Sequence, residues 1–232
     1  MTAEASGTLT RFKLFEGLPA AELRALEQRC RFRRYVRDAT IVDYQENKAD
    51  VFFILNGQVR VTLFSKAGRE VAFRDLEAGD LFGELSAIDG KPRAANVVAI
   101  SECVLAAMPG SVLWDLLHRH QSVADAMLRR LAGNVRILTD RVFEFSTLAV
   151  RNRIHAELLR LARDHDNGAR PITIAPMLTH AELASRLSTH REAVTREFND
   201  LARLGVIERS GNDLVIPDLA ALERLVADTD RE

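Results

Sequence analysis

Asp80-Leu81-Phe82-Gly83-Glu84-Leu85-Ser86-Ala87-Ile88-Asp89-Gly90-Lys91-Pro92-Arg93-Ala94-Ala95-Asn96-Val97 is the stretch on which the reading of this chain turns. Phe82 and Leu85 bracket Gly83 and Glu84, and small residues follow. The spacing predicts a short helix starting at Glu84, with Gly83 permitting a close backbone approach in front of it. The first N–H groups of such a helix have no partner within it, so a phosphate in front of them gains hydrogen bonds and a favourable dipole. Asp89-Gly90 makes a turn, and Pro92 stiffens the return to Arg93. A guanidinium there grips a phosphate through two parallel bonds. Glu84 repels a phosphate, so a carboxylate beside the site suits a sugar hydroxyl. Ala94 and Ala95 leave room for a ring. A ribose hydroxyl, one bound phosphate and a flat base together describe a cyclic nucleotide.

Working outward, the 232 residues suffice for one or two domains. The hydrophobic fraction of 47% supports real cores and gives no sign of disorder. Lys plus Arg number 32 against 33 Asp plus Glu, so bulk charge does not advertise nucleic acid, and any DNA contact must come from a local patch. Cys30 and Cys103 stand far apart in no metal-like spacing. They read as buried free thiols in a reducing compartment. Met1 to Thr10 has no signal-type apolar run, and no stretch approaches the ~20 apolar residues of a spanning helix. A soluble, cytoplasmic protein is expected, with no membrane partner.

Leu18 to Gln28 reads as a helix. From Arg31 to Met108, short apolar runs alternate with turns: Thr40–Val42, Val51–Leu55, Val59–Phe64, Val71–Phe73, Val97–Ile100 and Cys103–Leu105. Asn56-Gly57 and Ala67-Gly68 are hairpin turn signals. Many short strands at close spacing predict an antiparallel barrel or roll around the quoted stretch. The pattern turns helical from Ser111. Ala124, Leu128, Leu131, Val135, Leu138, Val142 and Phe145 recur at alternating steps of four and three, a heptad seam that wants a partner helix and predicts a parallel homodimer. Arg129, Arg130, Arg136 and Arg141 lie off the seam and are expected to face solvent. A second amphipathic helix spans Leu148 to Asp166, and an extended piece runs from Pro171 to Pro176. The domains are 1–110, 111–146 and 147–232.

The last of these holds a second constellation. Thr179 with Glu182, and Thr189 with Glu192, have capping-box spacing at the starts of two helices joined by a tight turn at Ser188-Thr189. Val194, Phe198 and Leu201 form the inner face of the second helix, and Gly205 ends it. Its outer face shows Arg191, Glu192, Thr195, Arg196 and Asn199. Val206–Arg209 and Leu214–Ile216 flank Ser210-Gly211-Asn212-Asp213 as a hairpin wing. Two helices, a tight turn and a wing read as a winged helix-turn-helix whose second helix enters the major groove of double-stranded DNA. Arg suits the acceptors of guanine, and Glu accepts from cytosine.

Phe82-Gly83-Glu84-Leu85 and Pro92-Arg93-Ala94-Ala95 closely resemble the phosphate-binding cassette of cyclic nucleotide-binding domains. Arg191-Glu192-Ala193-Val194-Thr195-Arg196 resembles the recognition helix of the cyclic-AMP receptor protein group within the CRP/FNR superfamily, with His190 where that group often has Ser. The resemblance implies an α+β chain: an N-terminal cyclic nucleotide-binding β-roll of jelly-roll kind, a long dimerisation helix and a C-terminal winged helix-turn-helix. It further implies a homodimeric transcription regulator, not an enzyme, that binds TGTGA-like palindromes and works with RNA polymerase. Gly83, Glu84, Leu85, Ser86, Arg93 and Ala94 would hold cyclic AMP or cyclic GMP, and Thr139 would meet the base. Ala94 lacks the hydroxyl that cyclic GMP-selective eukaryotic relatives commonly place after the Arg, which favours cyclic AMP. Thr189, His190, Arg191, Glu192, Thr195 and Arg196 would face DNA. The alternative is an orphan or differently sensed regulator of the same superfamily. An iron–sulfur sensor would need four cysteines, and the chain has two. A kinase regulatory subunit has no use for base-reading side chains. No nucleophile–base constellation and no metal site is read. The tail from Pro217 to Glu232 lies outside the resemblance and reads as one more amphipathic helix packed on the small domain.

Overall fold

The computed structural model describes residues 8–66, 68, 70–168 and 170–227. The chain divides into two compact units, Met1–Val135 and Arg136–Glu232.

The first unit opens with two turns of 3-10 helix, Leu9–Arg11 and Lys13–Phe15, and helix α1, Ala20–Arg29. Strands β1 (Arg31–Tyr35), β2 (Thr40–Val42), β3 (Val51–Asn56), β4 (Gln58–Phe64), β5 (Glu70–Glu77) and β6 (Leu81–Phe82) follow. Helix α2 (Glu84–Asp89) interrupts them before β7 (Asn96–Ala99) and β8 (Cys103–Met108). Two antiparallel four-stranded sheets result, β1-β8-β3-β6 and β2-β7-β4-β5. Between them, Val42, Ile54, Val59, Leu76, Val97 and Leu105 point inward at period two and form one core. The Phe52 and Phe82 rings stack at 5.0 Å in the same core, Phe82 being the first residue of the Phe82-Gly83-Glu84-Leu85 motif. On the outer face of the first sheet, Phe53 packs against Phe12 and Phe15 at 5.1 Å each. This second core also takes in Leu113 and Leu116 of α3 (Gly110–Arg119) and Val123 and Met127 of α4 (Gln121–Thr147).

Asn56-Gly57 does not make a hairpin. β3 and β4 belong to different sheets, so the dipeptide carries the chain across from one sheet to the other. Its glycine is needed there twice over: φ is +86°, and a Cβ would stand 2.1 Å from the Glu102 carbonyl oxygen. The β4–β5 hairpin does form, from Gln58 opposite Glu77 to Phe64 opposite Glu70. Gly68 lies in its turn at φ +76°, whereas Ala67 falls outside the described residues.

Helix α4 is about 40 Å long at 1.5 Å per residue. Leu128, Leu138 and Val142 of the seam are exposed on it, Leu138 at 49%, and Ile137 and Phe143 are exposed beside them. Leu131 instead packs on the first unit's core. Arg130 does not face solvent: its Nη2 donates to the Leu81 carbonyl at 2.7 Å and its Nη1 to Asp80 Oδ1 at 3.3 Å. Arg141 is half-buried near Glu157, and burial lowers its pKa from the usual arginine value.

The second unit continues with α5 (Val150–Asp164), β9 (Ile172–Ile174), α6 (His180–Arg186), α7 (Arg191–Arg203), β10 (Glu208–Ser210), β11 (Asp213–Ile216) and α8 (Leu219–Ala227). The wing has three strands rather than two, in the order β10-β11-β9, because Ile172 and Ile174 bury their side chains beneath β11. Ile154, Leu158, Leu183, Val194, Phe198, Leu214 and Leu222 share one core. Leu222 brings α8 into that core, so the tail packs on this unit as its periodicity predicts; residues 228–232 lie outside the description. Among the described residues, no helix is long and apolar enough to cross a membrane.

Candidate nucleotide cassette and DNA-reading face

Gly83 ends β6 at φ +86° and caps α2, a conformation that glycine adopts without strain. A Cβ there would come within 2.7 Å of Arg93 Nη1 and 2.8 Å of the Asp50 carbonyl oxygen. The missing side chain is therefore what lets Arg93 lie against the start of α2. Arg93 Nη1 donates to the Gly83 carbonyl at 3.1 Å and Nη2 to that of Asp50 at 2.8 Å. The guanidinium carbon lies 5.8 Å from the Phe52 ring centroid. The return loop is pinned by backbone bonds, Arg93 N–H to Glu46 and Gln45 N–H to Arg93, both at 3.0 Å.

Arg93 is 3% exposed and Glu84 8%. Burial lowers the Arg93 pKa, and the nearby charges of Asp50, Glu46 and Glu84 oppose that shift. Arg93 Nε is sealed from solvent with no hydrogen-bond partner among the described residues. Such an orphaned charged donor costs free energy until an acceptor reaches it. Ser86 is buried, while the side chains of Leu85 and Ala94 are exposed.

Arg130 and two side chains not singled out from the sequence, Arg74 and Asn134, complete this corner. Arg74 of β5 donates to Asn134 Oδ1 of α4 at 2.7 Å. Burial lowers the Arg74 pKa, with the charges of Asp80, Arg130 and Glu84 next in weight. Arg130 and Asn134 sit four apart, on one helix face, and both reach toward the strands that lead into the cassette. Their spacing is the signal that was available: two polar residues one turn apart on the flank of an apolar seam. Thr139 is exposed and belongs to the second unit.

On α7, Val194, Phe198 and Leu201 face inward, while Arg191, Glu192 and Arg196 are exposed and line one open groove. The first capping box is present in full: Thr179 Oγ1 accepts from the Glu182 N–H at 3.2 Å, and Glu182 Oε2 accepts from the Thr179 N–H at 2.8 Å. The second is not. Ser188 turns the chain at φ +49°, the cap of α7 falls on His190, and no side chain caps it. Thr189 is buried, its N–H bonded to the Ala184 carbonyl at 2.9 Å, so its side chain is not on the outward face. Thr195 is half-buried, and its hydroxyl donates to the Arg191 carbonyl at 3.0 Å.

Among the described residues, no group of three or more His, Cys, Asp or Glu is placed to hold a metal ion. Both cysteines are free thiols; burial and the charge of Glu27 raise the Cys30 pKa to about 12.

A family model described as the cyclic nucleotide-binding domain matches residues 32–120, and one described as the Crp-like helix-turn-helix domain matches residues 152–225. The second match reaches into the tail from Pro217, which the sequence reading left outside the resemblance. The chain is 26% identical over 219 residues to a CRP-like cAMP-activated global transcriptional regulator of Mycobacterium tuberculosis, covering 93% of this chain and 97% of that relative. It is 27% identical over 191 residues to the cAMP-activated global transcriptional regulator Vfr of Pseudomonas aeruginosa, covering 81% and 89%. A CRP-family transcriptional regulator from Thermus thermophilus superposes with a TM-score of 0.69 at 28% identity, over 84% of this chain and 96% of that one. FixK2 from Bradyrhizobium japonicum shares the fold, with a TM-score of 0.74 at 21% identity over 84% and 96%.

Proposed function

Since the chain belongs to the CRP/FNR superfamily of DNA-binding transcription regulators, we propose that it acts as a cytoplasmic homodimer switched by a cyclic nucleotide, with cyclic AMP as the preferred ligand. The observation that carries this reading is the sealed Arg93, whose Nε waits without a partner beside the buried carboxylate of Glu84. A cyclic phosphate supplies the acceptor, and a ribose hydroxyl donates to Glu84. Gly83 holds the backbone open, and the N–H groups of Leu85, Ser86 and Ala94 complete the phosphate cradle. At the base end we assign Asn134, oriented by Arg74, with Thr139 as a second contributor from further along α4. The relatives described as cAMP-activated and the missing hydroxyl at Ala94 both favour adenine.

The switch is a population shift. A ligand seated between the cassette and α4 favours one arrangement of the dimer helices, and that arrangement presents both α7 helices to successive major grooves. No catalytic step is involved. Arg191, Glu192 and Arg196 read base edges of TGTGA-like half-sites, His190 and Thr195 lie beside them, and RNA polymerase is the downstream partner.

The test is calorimetric titration of wild type and Arg93→Leu with cyclic AMP and cyclic GMP, followed by gel shift with each. Arg93→Leu is expected to lose 2–5 kcal/mol, on the order of what unpairing a buried charge costs. If wild type binds neither nucleotide, the chain is an orphan regulator of the superfamily.

A further inference from the structure

His180 opens α6 and lies in a groove lined by Thr179, His180, Ala181, Arg191 and Arg209. The groove borders the outward face of α7, and Arg191 belongs to both. The imidazole is held on three sides. Its ring centroid lies 4.8 Å from that of Phe198. Its Nδ1 lies 2.8 Å from Thr195 Oγ1. The Thr195 hydroxyl has a single proton, and that proton goes to the Arg191 carbonyl. Thr195 therefore accepts from His180, and the network assigns the neutral tautomer with its proton on Nδ1. Nε2 is then a bare acceptor, and Arg209 Nη2 donates to it. Arg209 comes from β10 in the wing, and its guanidinium carbon lies 5.9 Å from the same Phe198 ring centroid. One ring thus ties the first helix of the motif, the recognition helix and the wing together.

We propose that this groove receives a DNA backbone phosphate, the His180–Arg209 contact opening to admit it and His180 taking up a proton as it does. The proposal rests on the DNA-binding reading and adds two residues, His180 and Arg209, to it. The charged groups facing the ring are Arg209 from the wing and Arg191 from α7; Glu182 on its own helix is engaged by Thr179, and none of the five groove residues is acidic. In the free protein, burial and the two guanidinium charges hold His180 below its usual pKa, so it is neutral near pH 7. A phosphate offsets both positive charges and draws Arg209 away from Nε2. The ring then binds a proton on Nε2 and donates it to a phosphate oxygen. The pKa is higher in the complex than in the free protein, so affinity for DNA rises as pH falls through the bound-state value and levels off below the free-state value. Phosphates carry no sequence information, so the effect is shared by all duplexes.

The experiment measures full-length protein by fluorescence anisotropy between about pH 5.5 and 8, the range in which histidine titrates, at fixed ionic strength. Two duplexes are used, one with paired TGTGA half-sites and one scrambled, each with and without cyclic AMP. Wild type is expected to bind both duplexes more tightly on acidification, roughly tenfold for each pK unit separating the two states. His180→Asn keeps a donor for Thr195 but does not titrate, and its profile is expected to be flat. His165, at the C-terminal end of α5, is bonded to the Leu161 carbonyl of that helix, and His165→Gln is expected to keep the wild-type slope. Arg209→Ala is expected to weaken both duplexes alike and to lower the salt slope by about one. A His180→Asn profile as steep as wild type, or no rise for wild type on acidification, overturns the clamp alone. Failure of wild type to bind either duplex at any pH overturns the DNA reading and the clamp with it.

Discussion

His155 Nε2 lies 2.7 Å from Glu197 Oε1, and the two side chains, 2% and 7% exposed, join α5 to the buried side of the recognition helix. Arg151 Nε reaches the same carboxylate oxygen at 3.2 Å from a more exposed position. The pair fixes how α7 sits on α5, and hence where Arg191, Glu192 and Arg196 point. His155→Leu would leave a buried carboxylate with Arg151 alone. The expected cost is about 2 kcal/mol in urea denaturation, the scale of a hydrogen bond to a charged group. The double variant His155→Leu/Glu197→Leu is expected to recover most of that loss, because a well-packed apolar pair replaces a buried polar one at little cost. A single variant as stable as wild type would show that the contact contributes nothing.

Gly83 is the second place where one side chain decides the site. Gly83→Ala puts a methyl group at φ +86° within 2.8 Å of the Asp50 carbonyl oxygen, which is backbone and cannot turn aside. We expect a loss of roughly 1–3 kcal/mol, from strain at a left-handed position and from the displaced Arg93. The thermal midpoint should fall, and nucleotide affinity with it. Unchanged affinity at a lowered midpoint would mean that the ligand does not need Arg93 where it stands.

How far the sequence carried these conclusions follows from where the chemistry lies along the chain. Gly83, Glu84 and Arg93 sit within one short stretch, and local turn chemistry brings them together, so the cassette was legible. The Thr179–Glu182 capping box was equally local. Sheet partnership was not: Asn56-Gly57 has the composition of a hairpin turn, and only the packing against Glu102 reveals a crossover. β1 carries Arg31, Arg33 and Arg34 on a mostly exposed edge strand and lacks the apolar alternation that marks a strand. Arg74 and Asn134 lie 60 positions apart and meet only in the fold. His155 and Glu197 read from sequence as two ordinary polar helix residues, and nothing local says that both are buried.

Leu138 lies mid-seam on α4, exposed, with Val142 exposed one turn further on. An apolar stripe of this kind on a long helix is covered in a parallel pair, knob into hole. Leu138→Glu sets two carboxylates against each other across that pair. Light scattering is expected to report a monomer at concentrations where wild type is a dimer, and affinity for a palindromic duplex should drop while the thermal midpoint of the roll stays in place. A dimer of undiminished stability would move the interface off the seam.

Arg196 is exposed on α7 in the groove it shares with Arg191 and Glu192. Arg196→Ala should cost roughly 1–3 kcal/mol on a TGTGA-type site and relax selectivity at one base pair. The measurement is competition among duplexes that differ at single positions. Uniform weakening across all of them would assign Arg196 to phosphate instead of a base.

The proposed base contact sets two α4 residues against each other. Asn134 is already oriented: its Oδ1 accepts from Arg74, which turns the amide N–H groups toward whatever else approaches. Thr139 offers a hydroxyl further along the helix, where the pairing of helices in a dimer would bring it to the ligand. On the proposed assignment, Asn134→Ala would remove a base contact and also free the Arg74 guanidinium near Glu84, whose carboxylate would then pair with Arg74 rather than with a ribose hydroxyl. Both effects act against binding. We therefore expect Asn134→Ala to weaken cyclic AMP by roughly tenfold or more, one lost hydrogen bond being worth about 1 kcal/mol and the competing ion pair adding to it. Thr139→Ala should leave dimerisation intact and cost no more than the single bond. Adding Arg74→Ala to Asn134→Ala removes the competitor for Glu84 and is expected to return part of the affinity. If the double variant binds no better than Asn134→Ala, the Arg74–Glu84 competition is wrong. If Thr139→Ala is the more damaging change, the base is read from the far side of the dimer seam.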